Sequence, residues 1–391
     1  MRKQLASRLL CIALLASTVF FYRCEKPAIS ALTTTAATPT KTTAAVAAPQ
    51  ITSFVHPGIL NTTASLNYIA AAVNGGDANR TADYQVVANY VNGHSVSSSF
   101  PSVVVVGSNG ETSPSKNQIR NDCEMAYALA LRWAKSGIQT YANEAIQILN
   151  GWSYNFQRYA LLNSSTNPNQ PDLEASWTTP TFVAAAEIIR YYTPPSTGVP
   201  SGWATADINQ FNTYLNTVKN NYINNTPDYN NNWDVSAGYA KMAIGIFLNS
   251  TSVYQNGYNA ILQYLPIVIE SNGTVPELCV REDCVHFQYT LTGLSFAAEL
   301  ARIQGDNSIW TADNNLINAG YDYMRAAYNG TTGCNYCSTS SAVYPGVEQA
   351  YNYYRTGNLS YLRGLDAPLG VPLDNTFAGF TTYTCFGVPG L

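Results

Sequence analysis

The stretch "RNDCEMAYALALRWAKSG", Arg120–Gly137, decides the fold together with "TYANEAIQILNGWS", Thr140–Ser153, which follows after only two residues. In both, apolar residues recur at steps of three and four, the period of an amphipathic helix. Asp122 is the expected N-cap of the first helix and Gly137 its C-terminal stop. So short a link sets the two helices antiparallel. The same spacing returns in "TPTFVAAAEIIRYY", "ATADINQFNTYLNTVKNNYI", "DVSAGYAKMAIGIFLN", "YNAILQYLPIVIE", "HFQYTLTGLSFAAELARIQG", "DNNLINAGYDYMRAAYNG" and "GVEQAYNYYRTG". The one β-like run, "SVVVVGS" at Ser102–Ser108, is expected to stand alone. Serial helical hairpins build either a solenoid or an α/α toroid. No fixed-period repeat is visible, which favours the toroid. The fold class expected is therefore all-α, a single toroid or incomplete barrel of hairpins with a central cleft.

The chain has 391 residues, 46% of them hydrophobic, enough for a sizeable core. Only 11% are charged and the formal net charge is -4, so no basic nucleic-acid surface is indicated. An acidic ligand must then be met by a local group of donors, not by the overall field.

The N-terminus begins "MRKQLASR", followed by the apolar "LLCIALLASTVFF", a run short for a bilayer span and typical of a cleaved signal peptide. The expected divisions are a signal over 1–24, a Thr/Ala-rich linker over 25–53 and one folded domain over 54–391. The domain holds six of the eight cysteines: Cys123, Cys279, Cys284, Cys334, Cys337 and Cys385. An even set in a secreted chain suggests disulfides, but the spacing leaves the pairing open. "CNYC" at Cys334–Cys337 has no second CxxC beside it, so a structural role is expected. Sequons at Asn61, Asn79, Asn163, Asn224, Asn249, Asn272, Asn329 and Asn358 fit a secreted glycoprotein. An extracellular monomer, not inserted in a membrane once the signal is gone, is expected.

The candidate site centres on "CVREDCVHFQYTLTGLSFAAELA", Cys279–Ala301, which holds one of only three histidines. On a helix starting near Asp283, Phe287, Leu291, Leu294 and Ala298 form the core stripe. His286 and Tyr289 share another face, continued by Gly293 and Ala297, so that face is expected to look onto open space. Arg281 sits between two cysteines, and its guanidinium suits a carboxylate. In "NNNWDVSAGYAKMAIGIFL", Asp234 is the expected N-cap, and Asn232 lies where an amide meets an anion. Trp177 and Tyr191 are candidate sugar-stacking rings, and core packing is the alternative for both. No HExxH, GxSxG, P-loop or GxGxxG pattern occurs.

Five segments in a fixed order resemble the alginate-lyase-domain family of polysaccharide lyases: "MAYALALRWAKSG", "YANEAIQILNGWS", "FVAAAEIIRYY", "NNWDVSAGYAKMAIGIFL" and "ELCVREDCVHFQYTLTGLSFAAELA". The likeness runs from "FVHPGILNTTASLNYI" to "VEQAYNYYRTG". It implies an α/α toroid and β-elimination on an acidic, uronic-acid polymer. It places Asn232 and Trp233 in the family's Asn-Trp motif, Arg281 and His286 in its Arg…His segment, and Tyr289 near the catalytic tyrosine of relatives. Two features depart from the pattern. Arg281-Glu282-Asp283 replaces an adjacent Arg-Asp, and Tyr351-Asn352-Tyr353-Tyr354-Arg355 replaces Tyr-Asn-His-Tyr-His. Better-known relatives also carry a histidine where this chain has Trp233. Tyr351 and Tyr354 join Trp233 as expected substrate contacts.

β-Elimination at a uronate needs the carboxylate neutralised, a base for C5–H and an acid for the leaving oxygen. Asn232 and Arg281 are expected to supply the first, and His286 and Tyr289 the proton transfers, in an order the sequence leaves open. The scheme requires no metal or cofactor. A toroidal glycoside hydrolase with paired carboxylates and a non-catalytic polysaccharide binder are the alternatives.

Overall fold

A computed structural model describes residues 51–372 and 375–391; the expected signal and almost all of the linker lie outside them. The helices are α1 (Thr63–Asn74), α2 (Ala78–Gly93), α3 (Pro114–Ser136), α4 (Gln139–Asn155), α5 (Gln170–Tyr191), α6 (Thr205–Asn221), α7 (Asn232–Phe247), α8 (Thr251–Val268), α9 (Glu277–Arg281), α10 (His286–Ile303), α11 (Ser308–Tyr328), α12 (Gly346–Tyr354), α13 (Gly357–Asp366) and α14 (Thr381–Thr384). Two short strands, β1 (Val103–Val106) and β2 (Arg158–Leu161), complete the set.

The packing order is that of a toroid. α3 packs on α5, α5 on α7, α7 on α10 and α10 on α12. α14 touches both α12 and α1, and α1 packs on α3. α4, α6, α8 and α11 are the outer partners of these inner helices. The inner position explains α5, in which every residue from Gln170 to Ile189 is buried. A helix without an exposed stripe belongs to an interior. Two of its buried carboxylates are paired: Glu174 with Arg120 at 2.5 Å, and Glu187 with His56 Nδ1 at 2.8 Å and the Gly58 N–H at 3.0 Å.

Small residues set the closest contact, between α7 and α8. A Cβ on Gly257 would lie 2.4 Å from the Gly238 carbonyl oxygen, and one on Gly245 would lie 2.4 Å from the Tyr254 nitrogen. Backbone meets backbone there, so neither position has room for a side chain.

Several local expectations change. The strand run does not stand alone: β1 pairs in parallel with β2, Val103 opposite Arg158 and Val106 opposite Leu161. "RYAL" is too short and polar to announce itself as a strand. α3 begins about two and a half turns earlier than expected, with Ser113 as its cap. Asp122 instead lies mid-helix, accepting from Trp152 Nε1 at 2.9 Å and Ser97 Oγ at 2.7 Å. Gly137 ends α3 as expected, in the left-handed region at φ 69°. α7 is capped by Asn231; Asp234 is the reciprocal partner of that capping box, accepting from the Asn231 N–H at 3.1 Å.

Four of the six domain cysteines pair, Cys279 with Cys334 and Cys284 with Cys337. "CNYC" is thus a double anchor for the segment before α10. Cys123 and Cys385 are free and buried. Among the sequons, Asn61 is fully buried and accepts from Tyr127 Oη at 2.7 Å, so the folded chain has no room for a glycan there.

Candidate active site

A cleft of about 1080 Å³ opens on one end of the helix ring. One wall comes from the loops that leave β1 and β2, which the parallel pairing brings side by side: Gly107 to Gly110, and Asn167 to Gln170. Lys116 fixes the first loop, donating to the Gly107 and Glu111 carbonyls at 3.0 and 2.8 Å. The opposite wall is the start of α10 and the segment before it, with Arg281, Asp283, His286 and Tyr289. Trp177, Tyr229 and Trp233 also line the cleft.

The Arg281–His286 segment is built tightly. Asp283 accepts from the backbone N–H of Val285 at 2.8 Å and of His286 at 2.9 Å, which starts the helix. Its other oxygen accepts from His286 Nδ1 at 2.6 Å. The second imidazole nitrogen, Nε2, lies 3.2 Å from Arg281 Nη2. A guanidinium has only donors, so Nε2 is the acceptor and the proton sits on Nδ1. Burial alone would raise the Asp283 carboxyl, but the His286 and Val285 N–H groups and the imidazole hold it below its ordinary value. It is therefore an anion at neutral pH, fixing the ring's orientation. Two disulfides, from Cys279 just before this segment and Cys284 within it, bind it to the 334–337 loop.

Tyr289 stands one turn further along α10. Its ring packs edge-on against His286 at 5.6 Å and against Tyr344 at 5.2 Å, with Trp177 at 5.2 Å. Trp177 in turn carries the Arg120 guanidinium 5.0 Å above its ring. Arg120 forms a two-pronged pair with Glu174, at 2.5 and 2.8 Å. Trp177 is 8% exposed, so most of its ring serves the core and its edge serves the cleft. Trp233, half-buried, packs edge-on against Tyr229 at 4.9 Å.

The other expected site residues lie elsewhere. Asn232 is 1% exposed and does not line the cleft. Its Nδ2 donates to Glu277 Oε1 at 2.7 Å and its backbone N–H to Glu277 Oε2 at 3.2 Å. The amide is turned inward by a carboxylate, and its Oδ1 is buried without a partner. Tyr191 stacks on His56 at 4.1 Å, away from the cleft. Tyr351 stacks with Phe386, and Tyr354 packs on Trp310 and donates to its carbonyl oxygen. The altered segment Tyr351–Arg355 thus contributes nothing to the cleft wall. Gly293 does not face open space either: a Cβ there would sit 2.8 Å from Val235 Cγ1, so it lets α10 press on α7.

Reading the sequence missed the polar wall: Asn117, Arg120, Asn121, Asn167, Asn169 and Gln170. The available signal was the Asn-rich run "NSSTNPNQ" after "RYAL", legible only once the two strands pair. Asp283 is the sole carboxylate among the described residues that line the cleft, and it is committed to His286. Among the described residues no pair of carboxylates faces across it, as a glycoside hydrolase would need.

Comparison with known proteins gives a consistent picture. A family model described as alginate lyase matches residues 68–332. No curated protein matches the sequence. Among solved structures, alginate lyase A1-III from Sphingomonas species A1 is similar with a TM-score of 0.59 and 16% identity, over 83% of this chain and 97% of that one. A tyrosine-to-phenylalanine variant of alginate lyase A1-III, complexed with tetrasaccharide, gives 0.62 and 14%, over 86% and 98%. An alginate lyase from Bacteroides ovatus gives 0.62 and 12%, over 84% and 99%. At these identities the structural likeness carries the toroid fold, and the family match carries the rest. The chain belongs to the alginate lyase family and is a polysaccharide lyase.

Proposed function

We propose that the protein cleaves a uronic-acid polymer, alginate or a glucuronan-like chain, by β-elimination, with Arg281, His286 and Tyr289 as its working groups. The observation that carries this reading is the chain Asp283–His286–Arg281 on the cleft wall beside Tyr289. Arg281 is exposed, and its guanidinium meets the sugar carboxylate. As that carboxylate takes over the guanidinium, the Nε2 lone pair of His286 turns to C5–H. Asp283 holds the proton on Nδ1 and stabilises the imidazolium that forms when Nε2 takes C5–H. Tyr289 then gives its phenolic proton to the leaving glycosidic oxygen. Trp233, Tyr229 and the edge of Trp177 supply stacking surface for sugar rings. The polar wall of amides suits a hydroxyl-rich chain. That a relative's variant is complexed with tetrasaccharide supports an oligosaccharide occupant of such a cleft.

The two disulfides support secretion into an oxidising compartment, where the chain works as a monomer. No helix among the described residues is long and apolar enough to cross a membrane.

The test is to incubate the protein with alginate, glucuronan and pectate and follow the ultraviolet absorbance of the unsaturated product. His286→Ala and Tyr289→Phe are expected to lower kcat by about 10²-fold or more, the usual scale of acid–base groups, with the melting temperature retained. New reducing ends without ultraviolet absorbance would refute elimination.

A further inference from the structure

We propose that Glu277 is a positioning residue for the elimination, its buried carboxylate locking together the three elements that carry the cleft's working side chains. The proposal rests on the reading of the site given above. Glu277 opens α9 and is 7% exposed. It accepts from the Asn232 N–H and Nδ2 at the start of α7, and from Thr290 Oγ1 on α10. Each partner adjoins or approaches a cleft residue. Asn232 precedes Trp233, Thr290 follows Tyr289, and Glu277 itself lies one helical turn before Arg281.

The arrangement is over-determined for mere packing. Two oxygens receive three donors, so displacement of any one element breaks a hydrogen bond in a buried setting. The carboxylate also dictates which way the Asn232 amide points, because the reverse orientation would set Oδ1 against it. Oδ1 is left buried and unpartnered as a result, which stability alone would disfavour. Reaction geometry gains instead: Arg281 and Tyr289 come from different helices, and errors of about 1 Å between such groups lower rates by about 10²-fold. Glu277 touches no substrate, so its effect runs through Arg281, Tyr289 and Trp233.

The experiment compares Glu277→Gln with the wild type in steady-state kinetics on whichever uronan is turned over, together with thermal melting and ¹⁵N-histidine NMR spectra. The chain has only three histidines, His56, His94 and His286, so the spectrum is simple to assign by substitution. Expected are a fall in kcat of at least about tenfold, KM within about threefold, and a shifted His286 ring signal with His56 and His94 unmoved. Should Glu277→Gln fail to fold, Thr290→Val removes one donor at nearly constant volume and is expected to lower kcat by about threefold. A folded variant with wild-type kcat and an unmoved His286 signal overturns the proposal. If the wild type acts on no uronan, the functional reading fails, and the His286 signal alone then decides the positioning role.

Discussion

Removing the two disulfides tests how the cleft segment is held. The bridges interleave in the order Cys279, Cys284, Cys334, Cys337, with sequence separations of 55 and 53. In the chain-entropy model, closing a loop of 55 residues is worth about 4.2 kcal/mol at 25 °C. The second bridge closes a much smaller ring, from Cys279 to Cys284 and Cys334 to Cys337. At about ten residues it is worth about 2.7 kcal/mol. Replacing either cystine by a serine pair is therefore expected to lower stability by about 2.7 kcal/mol, and replacing both by about 6.9 kcal/mol. The double loss exceeds the sum of the single ones by about 1.5 kcal/mol, a coupling that a cycle of variants measures directly. Urea unfolding followed by tryptophan fluorescence is the assay, with m fitted for each variant because losing a cross-link expands the unfolded chain. Activity should follow a different pattern. One remaining bridge still tethers Arg281 and Asp283, so kcat stays within about threefold; loss of both lowers it at least about tenfold in protein that is still folded. Strictly additive stability losses, or full activity in the folded variant lacking both bridges, would refute the argument.

Further tests address other parts of the molecule. Burial pushes the Glu124 carboxyl up to about 8, against the Gly379 N–H that lowers it, while the unfolded chain has an ordinary carboxylate. The folded state then keeps a proton that the unfolded state loses between about pH 4.5 and 8, so stability present below pH 4.5 declines as pH rises through that window. Glu124→Gln should flatten this decline, read as melting temperatures at pH 5 and pH 8. Gly257→Ala should cost about 2–3 kcal/mol in urea unfolding, because its Cβ would meet backbone atoms of α7. Trp233→Ala should raise KM by about fivefold through lost stacking, with little change in kcat in the ultraviolet assay.

The toroid was legible because helical periodicity is a local property, repeated in every hairpin from Arg120 onward. Gly137 was legible for the same reason: a left-handed C-terminus leaves a mark on one residue. Arg281, His286 and Tyr289 were legible as a group because they lie within nine residues of each other, so little tertiary information was needed. Asn232 was misplaced because its partner Glu277 is 45 residues away, and an amide near a helix start looks the same whether it faces solvent or a buried carboxylate. Tyr191, Tyr351 and Tyr354 were misplaced for a related reason. An aromatic residue on a helix is apolar on both readings, and only the neighbouring helix decides whether it meets the cleft or, as with Tyr354, Trp310. The polar wall escaped because it depends on the pairing of two four-residue strands.

That pairing has a consequence for variation. The two loops sit at the rim, fastened by one short ladder and by Lys116, while the apolar contacts of the helix ring lie behind them. Asn169 donates from Nδ2 to Tyr229 Oη and from its N–H to Asn167 Oδ1, both at 2.9 Å, so changes at these two asparagines act on the stacking ring, while the exposed Asn109 can change without reopening the interior. The lyase carries an interchangeable face on a fixed frame, and libraries aimed at a new polymer should be drawn from these two loops first.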